Sequence, residues 1–213
     1  SQDATKLRPA GSFRVNLTKV AERYIIQVNK TKGGQISTWS LTEACASPPQ
    51  SSIRRHRVTA KIQWMIYGDC NSHTYKGPQK SKCSGYFSWS SHEDIVCPFS
   101  LKHKTALPVK YPYLDPQIYE LDLNNIPVGS LIYHWNPRGK ETNVFSRRCR
   151  FVAKVIFTGH FAYNVTDPET RKVKCETVDI TELKNSTEGL VMKKGKLMYY
   201  VWGMYFESIW CSE

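Results

Sequence analysis

Apolar and polar positions alternate along residues 149–177. Phe151, Ala153, Val155 and Phe157 hold one parity and Val152, Lys154, Ile156 and Thr158 the other, which is the period of a β-strand. Asp167-Pro168-Glu169-Thr170 has turn chemistry, because proline presets φ at the second position and aspartate caps the first. Val173, Cys175 and Thr177 then alternate with Lys172, Lys174 and Glu176, so the segment predicts two antiparallel strands. The cleanest strand is Val58–Tyr67, with Val58, Ala60, Ile62, Trp64 and Ile66 opposite Thr59, Lys61 and Gln63. Residues 13–20 and 22–29 read as two more strands, followed by a turn at Lys32-Gly33-Gly34. Ile36–Leu41, Tyr119–Leu123 and Leu131–Trp135 are further strands. Lys196–Cys211 is apolar on both parities, the pattern of a central strand covered on both faces. Ala46–Arg57, Gly68–Ser84 and Leu101–Pro116 read as loops, Ser91-His92-Glu93-Asp94 as the cap of a helical turn, and residues 179–195 as polar with one helical turn.

Roughly ten strands with almost no helix predict an all-β fold, an antiparallel sandwich of immunoglobulin-like type with long disulfide-bearing loops. The usual immunoglobulin signature is incomplete: Trp64 follows Cys45, but no Asp-x-x-x-Tyr-x-Cys comes after it. The 213 residues carry no Gly/Ser or proline-rich linker, which favours one domain over residues 1–213. No run of 18 apolar residues is present, so no membrane span is expected. Ser1 reads as a mature or engineered start.

Seven cysteines change the picture from fold to compartment: Cys45, Cys70, Cys83, Cys97, Cys149, Cys175 and Cys211. They form no CxxC and accompany no histidine pair at zinc spacing, so no metal or other cofactor is expected. Scattered cysteines fit three long-range disulfides with one residue left over, and the pairing stays open. Asn16-Leu17-Thr18, Asn29-Lys30-Thr31, Asn164-Val165-Thr166 and Asn185-Ser186-Thr187 are glycosylation sequons. With Val15 and Leu17 flanking Asn16, and Tyr24, Ile26 and Val28 before Asn29, strand parity puts these asparagines opposite the apolar face. Together these features predict an extracellular glycoprotein.

No enzyme signature rises above this background. HExxH, GxSxG and a Walker loop are absent. His134 and His160 would have to meet around a phosphate to make a ribonuclease, and nothing in their context calls for that. A binding protein, not an enzyme, is the expectation. The net charge of +12 is densest at Arg54-Arg55-His56-Arg57, Arg147-Arg148-Cys149-Arg150 and Lys193-Lys194-Gly195-Lys196. It suits a solvated basic surface, or attraction to sulfated glycans or an acidic receptor loop; nucleic acid is excluded by the extracellular reading. Two sequon-free loops combine cations, tyrosines and proline-stiffened backbone, which makes Arg54, Arg55, Arg57, Lys110, Tyr111 and Tyr113 the candidate binding residues.

Cys149-Arg150-Phe151-Val152-Ala153-Lys154-Val155-Ile156-Phe157-Thr158 resembles the Cys-led strand ending in Ile-x-Phe-Thr of gammaretrovirus-type envelope surface subunits. Tyr200-Val201-Trp202-Gly203-Met204-Tyr205 resembles the Tyr-Trp-Gly strand that follows it there, and Val96-Cys97-Pro98 a Val-Cys-Pro upstream. The resemblance implies an N-terminal receptor-binding domain, an immunoglobulin-like sandwich that attaches to a host cell-surface protein. The family's larger cysteine set and its Pro-His-Gln motif are absent. A secreted viral or parasite decoy for a host cytokine and a host adhesion ectodomain are the alternatives.

Overall fold

The computed structural model describes residues 13–45, 56–76, 82–106, 118–125, 131–133 and 141–212. Twelve strands and one α-helix are assigned among them. The all-β expectation holds at that level, and every strand pair is antiparallel except one.

The frame is a sheet of long strands. β3 (Thr59–Thr74), β4 (Lys82–Val96), β8 (Thr142–Thr158) and β12 (Lys196–Ser212) are 15 to 17 residues each. The order is β1-β4-β12-β8-β3, with β1 spanning Phe13–Asn16, and β12 at the centre as its apolar run predicts. β7 (Leu131–Tyr133) adds to β4, and β11 (Val191–Lys193) adds to β12. β11 reaches β12 through Lys194-Gly195, both with positive φ, the two-residue turn whose twist matches the hairpin. β1 lies parallel to β4, clamped by the Arg14 guanidinium, which donates to both Asp94 carboxylate oxygens at 2.8 and 2.9 Å. A second sheet has the order β10-β9-β2, from Val173–Asp179, His160–Thr166 and Ile36–Ser40. β5 (Lys102–Ala106) and β6 (Ile118–Asp122) form a two-stranded sheet. The chain passes from β8 to β9 at Gly159, where φ is +106° and a Cβ would lie 2.4 Å from the Arg57 carbonyl oxygen. This sheet order does not by itself make an immunoglobulin-like sandwich.

Several local expectations are corrected. Residues 17–31 are not strand but α1 (Leu17–Thr31). Leu17, Val20, Ala21, Tyr24, Ile25 and Val28 sit at spacings of three and four, and all pack on the core, whereas Ile26 is 51% exposed. Asn16 caps the helix by accepting from the Lys19 N–H at 3.2 Å. Gly68–Ser84 is largely strand, because β3 runs on to Thr74 and β4 begins at Lys82. Ser91–Asp94 lies within β4 instead of capping a helix; the Ser91 hydroxyl donates to Asp94 at 2.9 Å. The Leu101–Pro116 loop contains β5. Residues 179–195 hold two short 3-10 turns, Ile180–Leu183 and Ser186–Glu188. The Asp167 turn is as expected, its carboxylate accepting from Glu169 and Thr170 N–H.

The odd-numbered face of β12 forms the floor of the main core. Leu197, Tyr199, Val201 and Tyr205 are buried there with Phe151, Val155 and Phe157 of β8, while Ile209 and Cys211 are buried with Val144 in a second, smaller cluster. The even-numbered face of β12 is only half-buried beyond Met198, apart from Ser208. The expectation that both faces are covered is therefore met on one side only.

Candidate functional site

A one-residue irregularity sets the candidate site. β3 and β8 stay in register from Thr59↔Thr158 to Ile62↔Val155, and the next pair is Trp64↔Lys154. Gln63 is the extra residue, and from Trp64 to Gly68 the β3 side chains change face; a second shift between Gly68 and Asn71 restores the first parity. Ala60 and Ile62 pack on the core before the bulge, Met65 and Tyr67 after it. Trp64 and Ile66 are thereby turned outward, and Ile66 is 55% exposed.

The outward face is laid out in rungs about 7 Å apart, two residues of strand rise. Trp64, Lys154 and Tyr200 share the first, on β3, β8 and β12. Ile66, Val152 and Trp202 follow, then Gly68, Arg150 and Met204, then Asn71, Arg148 and Phe206. Trp64 and Tyr200 have ring centroids 6.0 Å apart, and Tyr86 of β4 meets Phe206 edge-on at 6.1 Å. The Arg148 guanidinium lies 5.9 Å from the centre of the Phe206 ring. These aromatics are half-buried, Arg148 and Arg150 are exposed and Lys154 is half-buried. Among the described residues no carboxylate pairs with Arg148, Arg150 or Lys154.

The pleat splits the Arg147–Arg150 cluster. Arg148 and Arg150 point out, while Arg147 faces the core side opposite Glu207 of β12. Glu207 is 1% exposed and accepts a hydrogen bond from the Tyr205 hydroxyl. Burial holds the Glu207 carboxyl above its ordinary value, against the pull of Tyr205 and Arg147. Burial and the nearby carboxylate push the Tyr205 phenol far up. The Tyr205 ring sits 4.9 Å from Tyr67 and 5.1 Å from Trp89, and the Trp89 Nε1–H donates to the Tyr67 hydroxyl at 3.3 Å. This is a packed polar network inside the core.

All seven cysteines can now be placed. Cys70–Cys149 links β3 to β8, Cys83–Cys211 links β4 to β12, and Cys45–Cys175 ties the chain after β2 to β10. Three disulfides and one remaining cysteine are as expected. The remaining one, Cys97, is buried, with its Sγ 3.7 Å from both the Phe99 carbonyl and Asn124 Oδ1, and burial pushes its thiol up.

The four sequon asparagines all do structural work. Asn16 caps α1, and Asn29 Oδ1 accepts from the Ile36 N–H. Asn164 Nδ2 donates to Thr38, and Asn185 accepts from Thr187 and Glu188 N–H while its Nδ2 donates to Glu188. The strand-parity argument for Asn16 and Asn29 is corrected by α1. Arg57 is exposed and bridges to His160. Arg54, Arg55, Lys110, Tyr111, Tyr113 and His134 lie outside the described residues. His160 faces Asp179 at 3.5 Å, and its Nδ1 is buried without a hydrogen-bond partner. Among the described residues no group of three or more His, Cys, Asp or Glu side chains is placed to hold a metal, and no helix is long and apolar enough to cross a membrane.

No protein-family model and no curated protein matches the chain. Solved structures do. A non-toxic crystal protein from Bacillus thuringiensis is similar at a TM-score of 0.47 and 13% identity, covering 93% of this chain and 94% of that one. The Cry23Aa1 and Cry37Aa1 binary protein complex gives 0.46 and 9%, covering 92% and 85%. The Mpp75Aa1.1 β-pore-forming protein from Brevibacillus laterosporus gives 0.31 and 10%, covering 93% and 87%. These neighbours are bacterial crystal and pore-forming proteins, not retroviral envelope domains. The envelope receptor-binding reading is corrected to that extent: bacterial crystal and pore-forming proteins, and no retroviral envelope domain, are what the chain is found similar to. The physical reason is plain in the fold: two of the three motifs that carried the resemblance are segments of β8 and β12, adjacent core strands whose apolar residues any buried sheet requires.

Proposed function

We propose that this chain is an extracellular, toxin-like, non-enzymatic β protein that acts at anionic membrane surfaces through the outward face of β3, β8 and β12. The aromatic and cationic face carries the reading, with Trp64, Tyr200, Trp202 and Phe206 interleaved with Arg148, Arg150 and Lys154. Tryptophan and tyrosine favour the headgroup level of a bilayer, where the ring is dehydrated and its polar tip stays wet. Each cation near an anionic leaflet contributes about 1 kcal/mol. The overall charge of +12 adds long-range attraction of the same sign. Three disulfides suit the oxidising compartment in which such a protein would work. The sequons, if used, would add glycans at Asn16, Asn29, Asn164 and Asn185. A sandwich assignment within the all-β class belongs to the same proposal: one face of β12 is covered by a second layer, the other is left for the membrane.

β12 and β8, at 17 residues each, exceed the roughly 10 residues a tilted strand needs to cross a bilayer. Cys70–Cys149 and Cys83–Cys211 nonetheless fasten β3 to β8 and β4 to β12, so this sheet docks as a plate and does not unzip to insert. Flotation with phosphatidylserine-containing and pure phosphatidylcholine vesicles tests the reading. Binding to the first only, with a blue shift of tryptophan emission, supports it; equal partition to both, or none to either, removes it.

A further inference from the structure

α1 and the chain that follows β10 border an open cleft of about 320 Å³, and its residues are separate from those of the outward sheet face. Its volume is at the lower end of small-molecule sites. The apolar base is Val20 and Leu183, both buried, with the Tyr24 ring held edge-on against Phe161 at 6.1 Å. One wall is stiffened by a hydrogen-bonded chain. Arg23 Nη2 donates to Glu188 Oε2 at 2.6 Å, and Asn185 Nδ2 donates to the same oxygen at 3.2 Å. The Asn185 side-chain oxygen in turn holds the Thr187 and Glu188 N–H groups. Those residues are fixed before any ligand arrives, which limits the entropy lost on binding.

The exposed polar groups on the lining are Arg23, already held by Glu188, and Gln27, Glu182 and Lys184. Gln27 offers both donors and an acceptor, Glu182 accepts, and Lys184 donates. Tyr24 adds a phenol raised above its ordinary pKa by burial and by Glu182, so it stays neutral and can both donate and accept. The charges balance: Glu188 offsets Arg23, and Glu182 offsets Lys184 within the lining. An anion or a cation would gain little net attraction there. A ring bearing several hydroxyls matches the set, because each hydroxyl both donates and accepts, and the C–H face of the ring can lie on Tyr24 and Leu183. We infer that this cleft is a binding site for a neutral saccharide, a single ring or a terminal residue of a longer glycan.

The test uses the full chain produced in a host that adds no N-glycan, so that Asn185 stays bare. Titrations with methyl glycosides of mannose, galactose, glucose and N-acetylglucosamine are followed by amide chemical shifts, with 3′-sialyllactose and a sulfated disaccharide as charged controls. At least one neutral glycoside is expected to shift the amides of residues 20–27 and 181–185 at millimolar concentration. Gln27→Ala and Glu182→Ala should each weaken that binding at least tenfold. Both side chains are exposed, so melting temperatures should stay within about 1 °C of the parent. The inference is overturned if no neutral glycoside shifts those amides. It is equally overturned if both variants bind like the parent, or if only the charged controls bind and salt abolishes it. Vesicle binding by Gln27→Ala should be unchanged.

Discussion

Replacing Gly203 by alanine tests the packing of the central strand. A Cβ on Gly203 would stand 2.0 Å from the Ser90 carbonyl oxygen and 2.5 Å from the Phe151 ring, where ordinary contact begins at 3.4 Å. The oxygen is backbone of β4, and the ring is 1% exposed, so neither can swing aside. Relief requires β4 to draw back from β12 at the point where their register already shifts, between Trp202 and Gly203. Overpacking of this kind costs about 1–3 kcal/mol. Local loss of ladder hydrogen bonds adds about 1 kcal/mol each. A total near 3–4 kcal/mol lowers the melting temperature of a chain this size by about 6–16 °C. Gly68→Ala is the internal control, since a Cβ there meets nothing within 4 Å. It should be neutral or raise stability by up to about 1 kcal/mol through the unfolded state. Circular dichroism melts of the two variants beside the parent decide the matter. A Gly203→Ala protein that melts within 2 °C of the parent would falsify the close approach of β4, β8 and β12 at this point.

Three further outcomes are expected. Cys83→Ser combined with Cys211→Ser opens a loop of 128 residues, and should cost about 2–5 kcal/mol in denaturant titrations; an unchanged midpoint contradicts the pairing. Glu207, held above its ordinary value by burial, binds its proton more tightly when folded, so parent stability should fall as pH rises from about 4 through the folded value. Glutamine does not titrate, so Glu207→Gln should gain on the parent over that range, and a melting difference constant between pH 4 and pH 8 refutes this. Cys97 should react with a thiol reagent as one slow equivalent in the folded protein and rapidly in guanidinium; prompt reaction without denaturant contradicts its burial.

The sheet was legible where alternation and burial coincide. β8 alternates as a strand of one buried face should, and the central position of β12 follows from its run of apolar residues on both parities. α1 was misread because Tyr24, Ile26 and Val28 alternate by accident. The helical set Leu17, Val20, Ala21, Tyr24 and Ile25 was present, with Asn16 as its cap, and would have corrected it. The extensions of β3 and β4 carry glycine, asparagine, serine and histidine, whose strand propensity is low; pairing with β8 and β12 overrides it. The candidate face was hidden for a different reason. Strict parity assigns Trp64 and Ile66 to the core with Ile62, and only the bulge at Gln63, a property of the β3–β8 pairing, turns them outward. The basic cluster at Arg147–Arg150 was visible, but not that the pleat would send Arg148 and Arg150 to that face and Arg147 to Glu207.

The most direct measurement is vesicle binding by Arg148→Gln combined with Arg150→Gln. Removing two cations worth about 1 kcal/mol each from the contact should weaken binding to phosphatidylserine vesicles roughly thirtyfold at low salt. Both side chains are exposed and without carboxylate partners among the described residues, so the melt should be unaffected. The account expects that loss, and a blue shift of tryptophan emission that disappears with it. Undiminished vesicle binding by the folded double variant would contradict the account.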